Sequence, residues 1–267
     1  MIPIIYADLS PELEKFRDKI EASLKPYIHI APTQNKDLSL WQSKLGGLPY
    51  MPKGSEYPSD SKGNPLFLLA QINFVQVPEL EGLPQEGILQ FYIADGDNYG
   101  LDFDNPTQQD RFRVLYFPDV SKSEADLVTD FSFLPQPKFF PLLNGSSCAL
   151  EFAENAMPVN IEDFQFDTFM GENFFAQFGE KEEDIIREYL DEFKAEGHRI
   201  GGYAYFTQED PRQSFAGGEE YRLLLQIDTD PNIDLIWGDD GVGHFFITQT
   251  DLDNLDFSRV LYNWDCL

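Results

Sequence analysis

A chain of 267 residues, 42% hydrophobic, 15% aromatic and 25% charged, has room for one large domain or two small ones and the composition of a folded protein, which excludes a disordered, collagen-like or membrane-spanning chain. Its 19 Lys and Arg against 47 Asp and Glu give a formal charge of −28, which argues against nucleic acid and anionic membranes as partners, because both demand clustered cations. Two cysteines, Cys148 and Cys266, are too few for a disulfide framework and form no CxxC pair, as expected in a reducing compartment.

The opening MIPIIYADLS carries an apolar run too short for a signal-peptide core and lacks a basic flank, and no later stretch approaches the ~20 apolar residues of a membrane helix, so the expected location is cytoplasmic. Ser10 as N-cap, Pro11 at the first turn and Leu13, Phe16, Ile20 and Leu24 at helical spacing predict a helix over 11–25, ended by Pro26. Short runs of Phe, Tyr, Ile, Leu and Val bounded by Gly, Pro, Asn and Asp predict strands over 66–74, 88–93 and 113–117. Residues 121–180 hold aromatic clusters at 131–140 and 164–178 without a clean period, and read as an irregular connection. The 164–178 aromatics are either buried core or an exposed oligomer interface.

A second helix follows over 182–196, with Ile185, Ile186, Tyr189, Leu190 and Phe193 on one stripe and Gly197 as its stop. Its outer face is anionic: Glu180, Glu182, Glu183, Asp184, Glu188, Asp191 and Glu192. Strands are predicted again over 221–227 and 244–248. The fold class is therefore α+β, mainly antiparallel sheet with flanking helices.

Shifting the sequence by 155 positions aligns 44–93 with 199–248 without a gap. Eleven of these fifty positions are identical, among them Gly46/Gly201, Gly47/Gly202, Tyr50/Tyr205, Gly63/Gly218, Leu69/Leu224, Gln71/Gln226, Leu80/Leu235 and Phe91/Phe246. Ordinary residue usage would give about three matches. The pattern predicts an internal duplication: two similar halves, about 40–120 and 195–267, related by a pseudo-twofold axis within a single 1–267 unit.

Gln71 and Gln226 sit inside apolar runs, where an amide without partners costs ~1–3 kcal/mol, so each is expected to bond to backbone or to meet its counterpart at the axis. The glycine pairs behind Lys44 and Arg199 form a tight turn or a ligand cradle, though neither is a GxGxxG or Walker loop, and no cofactor is expected. Asp228, Asp230, Asn232 and Asp239 have oxygens at calcium-loop spacing, but Ile233 occupies the position of the required glycine, which leaves them weak metal candidates beside an ordinary acidic turn. His29, His198 and His244 accompany no GxSxG, HExxH or Cys/His motif, so no catalytic group is assigned; His244 opens a strand.

The segments LGGLPYMPKGSEYP, GNPLFLLAQI, LLLQIDTD and WGDDGVGHFFI together resemble the bacterial YwqG-like proteins, from about Leu45 to Ile247. The shared features are Gly46, Gly47, Pro49 and Pro52, then Gln71 and Ile72, then Gln226, Ile227 and Asp228, then Trp237, Gly238, Asp239 and Gly241. Two positions depart from the pattern: Tyr57 stands where a tryptophan often precedes the proline, and Asn73 replaces an acid. The resemblance implies a fold and a bacterial cytosolic setting more than an activity, and the association of some members with polymorphic toxin systems implies immunity or regulatory partners.

Two function classes follow. One is a non-enzymatic binding protein whose acidic surface steers and captures a basic protein, with the anionic helix as the contact. The other is an enzyme or binder of a small molecule or metal, with a site between the halves lined by Gln71, Arg199, Gln226, Trp237, Asp239 and His244.

Overall fold

The computed structural model describes residues 8–35, 37–215 and 220–267. The first seven residues of MIPIIYADLS and Gly218 of the Gly63/Gly218 match lie outside the described residues.

Among the described residues ten strands form one sheet: β1 (Lys25–Gln34), β2 (Lys44–Gly46), β3 (Phe67–Asn73), β4 (Ile88–Ile93), β5 (Phe112–Phe117), β6 (Ser147–Met157), β7 (His198–Gly201), β8 (Tyr221–Asp228), β9 (Val242–Thr248) and β10 (Leu261–Asp265). Their order is β10-β9-β8-β7-β1-β6-β2-β3-β4-β5, and every ladder is antiparallel. The predicted α+β class, dominated by antiparallel sheet, is what is found. The central β1–β6 pair carries a four-strand arm on each side, consecutive in sequence within each arm. The arms curl over one core, so that Phe112 of β5 and Tyr262 of β10, at opposite ends of the order, have ring centroids 5.2 Å apart.

The reading of 121–180 as an irregular connection is corrected: it contains β6, an eleven-residue central strand. Cys148 and Leu150 face inward, whereas Glu151, Ala153, Glu154 and Asn155 are exposed, so β6 has little apolar face and forms through its ten-residue pairing with β1 rather than through propensity. β1 has no strand signal in the sequence because it contains two prolines, Pro26 and Pro32, and Pro26 reads as the stop of the preceding helix. Both lie outside the β7 ladder, which uses only Tyr27 to Ile30, so β1 is unpaired on that side where each N–H is missing.

The helix predicted over 11–25 is shorter: a 3-10 turn at Leu13–Phe16 followed by α1 (Arg17–Ala22). The Ser23 hydroxyl closes it by donating to the Ile20 carbonyl, and β1 begins at Lys25. After α2 (Phe166–Met170) comes α3 (Glu182–Glu192), which stops a turn before the expected Glu196. Gln226 captures the carbonyls of Ala195 and Gly197, which removes those residues from helical pairing.

The main core lies under the inner sheet face and takes residues from both arms, including Leu69, Phe91, Leu224 and Phe245. A second cluster packs Leu13 and Ile20, Phe166, Phe174 and Phe175, and Ile185, Tyr189 and Phe193 against Tyr27, Met157 and Tyr203. Of the two fates open to the 164–178 aromatics, burial is the one observed for Phe166, Phe174 and Phe175.

Candidate functional site

Register places the singled-out polar residues in two rows. In one arm Lys44 opposes Gln71 and Gln71 opposes Gln90; in the other Arg199 opposes Gln226 and Gln226 opposes His244. Gln71 and Gln226 are wholly buried. The Gln71 Oε1 accepts from the Tyr50 N–H at 2.7 Å, and its Nε2 donates to the carbonyls of Leu40 and Gln42, both at 2.8 Å. The Gln226 Oε1 accepts from the Tyr205 N–H at 2.9 Å, and its Nε2 donates to Ala195 and Gly197 at 2.9 and 2.7 Å. Every partner of the second amide is 155 positions after that of the first. The two amides share no bond with each other, and each ties a covering loop to its own arm.

The third members repeat the pattern with different chemistry. The Gln90 Nε2 donates to the Tyr50 carbonyl at 2.7 Å, and the His244 Nε2 donates to the Tyr205 carbonyl at 2.6 Å. Burial pushes the His244 imidazole down to about 3, so it is neutral and serves as a fixed donor. A strand bulge between Leu68 and Ala70 recurs between Leu223 and Leu225. Beyond it the match shifts: Phe91 opposes Ala70 and Phe245 opposes Leu225, so Phe91 corresponds to Phe245 and not to Phe246. The link from β8 to β9 is one residue shorter than that from β3 to β4, which an ungapped alignment does not register.

The basic residues before the glycine pairs are buried as well. Burial pushes the Lys44 ammonium down to about 8, and it donates to the carbonyls of Ser39 and Leu48 at 2.7 and 2.9 Å. Arg199 donates to the Glu196 carbonyl at 2.6 Å and lies 4.7 Å over the Tyr27 ring; burial lowers its pKa and leaves its Nε without a partner. Gly46, Gly47, Gly201 and Gly202 all have φ between +60° and +73°, and a Cβ on Gly201 would stand 2.8 Å from Leu80 of the other arm.

Trp237 is also buried, but it packs with Tyr99 and Trp264 at centroid distances of 5.3 and 6.2 Å. Its ring lies against Gly243, where a Cβ would collide with it, and a Cβ on Gly241 would collide with the Asp265 carbonyl. Asp239 is exposed; its carbonyl accepts from the Leu267 N–H. Asp228 accepts from the N–H groups of Gly197 and Thr229, and Asp230 from the N–H and side-chain amide of Asn232. The His198 imidazole, its Nε2 3.6 Å from the Asp230 carboxylate, holds Asp230 down at about 2. Among the described residues no group of three or more His, Cys, Asp or Glu side chains is placed to hold a metal ion. Arg199, Gln226 and His244 thus come together; Gln71 belongs to the other row, and Trp237 and Asp239 to the Tyr99–Trp264 corner.

Two features had no sequence signal because their parts are remote in the chain. Arg212, 3% exposed, pairs with Asp163 and Asp210 at 2.7 and 2.6 Å and stacks 4.7 and 4.8 Å over Phe164 and Phe246. A cleft of about 720 Å³ is lined by Lys25, Leu80, Glu81, Gly82, Glu220, Arg222, Gln249 and Asp253.

On the outside, Glu180, Glu183, Asp184, Asp191 and Glu192 are exposed, while Glu182 is half-buried and Glu188 accepts from the Ser10 N–H at 2.6 Å. Among the described residues no helix is long and apolar enough to cross a membrane. The family model described as domain of unknown function DUF1963 matches residues 43–266. No curated protein matches the chain.

Proposed function

The chain belongs to the DUF1963 family, a domain of unknown function, and we propose that it acts in the bacterial cytosol as a non-enzymatic, YwqG-like binding protein that captures a basic protein partner, as an immunity or regulatory protein does. The observation that carries this reading is where the carboxylates lie: Glu180, Glu183, Asp184, Asp191 and Glu192 are exposed on and beside α3. Lys44, Arg199 and Arg212 are 1–3% exposed, and their burial is matched by that of Asp163, Asp228, Asp251 and Asp265, so the formal charge of −28 is carried almost wholly by groups that meet solvent. On α3 the exposed carboxylates have one neighbouring cation on the helix, Arg187, already held at 3.5 Å by Asp184.

A field of that sign accelerates encounter with a basic surface and weakens as salt screens it over a Debye length of ~8 Å at physiological ionic strength. The buried polar rows support the same reading, because all their side-chain donors and acceptors except the Arg199 Nε and the His244 Nδ1 are spent within the fold, most of them on tying loops to strands. Their recurrence at an offset of 155 also supports descent of the two arms from one duplicated unit. Free Cys148 and Cys266 agree with a reducing compartment.

The test is affinity capture of the tagged protein from its own cells at low and high salt, beside a variant carrying E183K, D184K, D191K and E192K. A basic protein retained at low salt by the wild type alone supports the reading; retention by both proteins, or no salt-sensitive partner, overturns it.

A further inference from the structure

The cleft of about 720 Å³ opens where the first arm's loop at 80–82 reaches the start of β1, the strand β8 and the helix Gln249–Asp253. Two cationic residues, Lys25 and Arg222, line it. Among the described residues the Lys25 ammonium has neither a hydrogen bond nor an ion pair, and its contact is the Tyr203 ring at 4.9 Å. Arg222 donates to the Gln249 Oε1 at 2.6 Å and to the Glu81 carbonyl at 3.4 Å, and no carboxylate of the described residues pairs with it. Burial lowers the pKa of both, while the charges of Asp163 and Glu220 on Lys25, and of Asp253 and Glu81 on Arg222, act in the opposite sense.

In a chain with 47 Asp and Glu, two half-buried cations that line one cleft without a direct ion pair among the described residues retain an attraction for an anion. The Arg222 guanidinium is also held in place. Asp253 accepts from the Gln249 Nε2 at 2.6 Å, Gln249 holds Arg222, and Gly82, at φ +84°, packs so closely that a Cβ would lie 3.0 Å from the guanidinium. That is the fixed geometry a carboxylate site requires.

Two facts decide the ligand class. The cation pair recruits a carboxylate, whereas Glu81, Glu220 and Asp253 on the same walls, together with the net charge of −28, repel a ligand that is only negative. A molecule carrying both signs and no net charge satisfies both. We propose that this cleft binds a small zwitterion of the α-amino-acid class, its carboxylate between Lys25 and Arg222 and its ammonium toward Glu220 and Asp253. The assignment goes beyond the partner reading and does not rest on it.

The test is titration calorimetry of the full chain with the standard amino acids, with acetate and inorganic phosphate as simple anions. For an amino acid that binds, the matching amine without its carboxylate and the N-acetyl acid without its ammonium are titrated next. The expected result is saturable binding of at least one amino acid, weakened about tenfold or more in each analogue and in Lys25→Gln and Arg222→Gln, and retained in Lys25→Arg. Absence of binding at millimolar amino acid overturns the proposal, as does equal affinity for acetate or phosphate, or unchanged affinity in the folded Gln variants. Should a Gln variant fail to fold, the analogue series on the wild-type protein decides alone.

Discussion

Phe91 and Phe245 face each other with ring centroids 4.7 Å apart, and they occupy the same register position in β4 and β9 of opposite arms. Each is fully buried, so the contact joins the two arms at the centre of their common core. Truncation of either to Ala is expected to cost about 3–5 kcal/mol. Because the pair shares one contact and one cavity, the double variant should cost less than the two singles together, with a coupling of about 1 kcal/mol. Urea unfolding of the four proteins checks it, and strict additivity would refute the contact.

The two buried amides make an asymmetric prediction. Gln71 and Gln226 share three equivalent bonds, but Gln71 also accepts from the Gln90 Nε2 at 2.7 Å, a bond that His244 does not supply to Gln226. Each Ala variant strands buried backbone groups at about 1–3 kcal/mol. Gln71→Ala should be the more destabilising of the two by about 1 kcal/mol in the same urea experiment, because it leaves one further buried N–H, that of the Gln90 Nε2 toward Gln71, without its acceptor.

His244 and Gln90 do the same job, which suggests a substitution. The His244 imidazole is held down at about 3, while an unfolded histidine titrates near ~6.5. Between those values the unfolded chain binds a proton that the folded chain refuses, so this residue's contribution to stability is complete above about 6.5 and is lost as pH falls toward 3. In His244→Gln the amide donates to the Tyr205 carbonyl as Gln90 does to Tyr50. The variant should lie within about 1 kcal/mol of wild type at pH 7 and gain on it by on the order of 2 kcal/mol at pH 4. Denaturant midpoints at the two pH values measure the change.

What the sequence made legible follows from burial. β4 was readable to the residue because every position from Ile88 to Ile93 is buried, which leaves an unbroken apolar and aromatic run around Gln90. The glutamines stood out for the same reason, as amides within apolar strands. β1 and β6 were illegible because the face they turn outward is solvated by His29, Glu151 and Asn155, while β2 and β7, of three and four residues, carry no period at all. The cleft at Lys25 and Arg222 was invisible for a different reason: its walls come from four separated stretches, and what distinguishes its cations is that no carboxylate of the described residues forms an ion pair with either, which spacing does not encode.

Asp265 titrates in the opposite sense to His244. Burial pushes its carboxyl up to about 6, although the N–H groups of Thr207 and Gln208 donate to it at 3.4 and 3.2 Å. An unfolded aspartate titrates near ~3.9, so between that value and about 6 the folded chain holds a proton that the unfolded chain releases. Its contribution is therefore complete below about 4 and is lost as pH rises through 6. Asp265→Asn keeps the shape and one acceptor but cannot ionise, so any cost of the missing acceptor is the same at every pH. Relative to wild type the variant should gain on the order of 2 kcal/mol between pH 4 and pH 7, the window in which His244→Gln loses its advantage. Chemical denaturation across that range, wild type against Asp265→Asn, would show a constant difference if the carboxyl titrated normally and a rising one if burial holds it protonated.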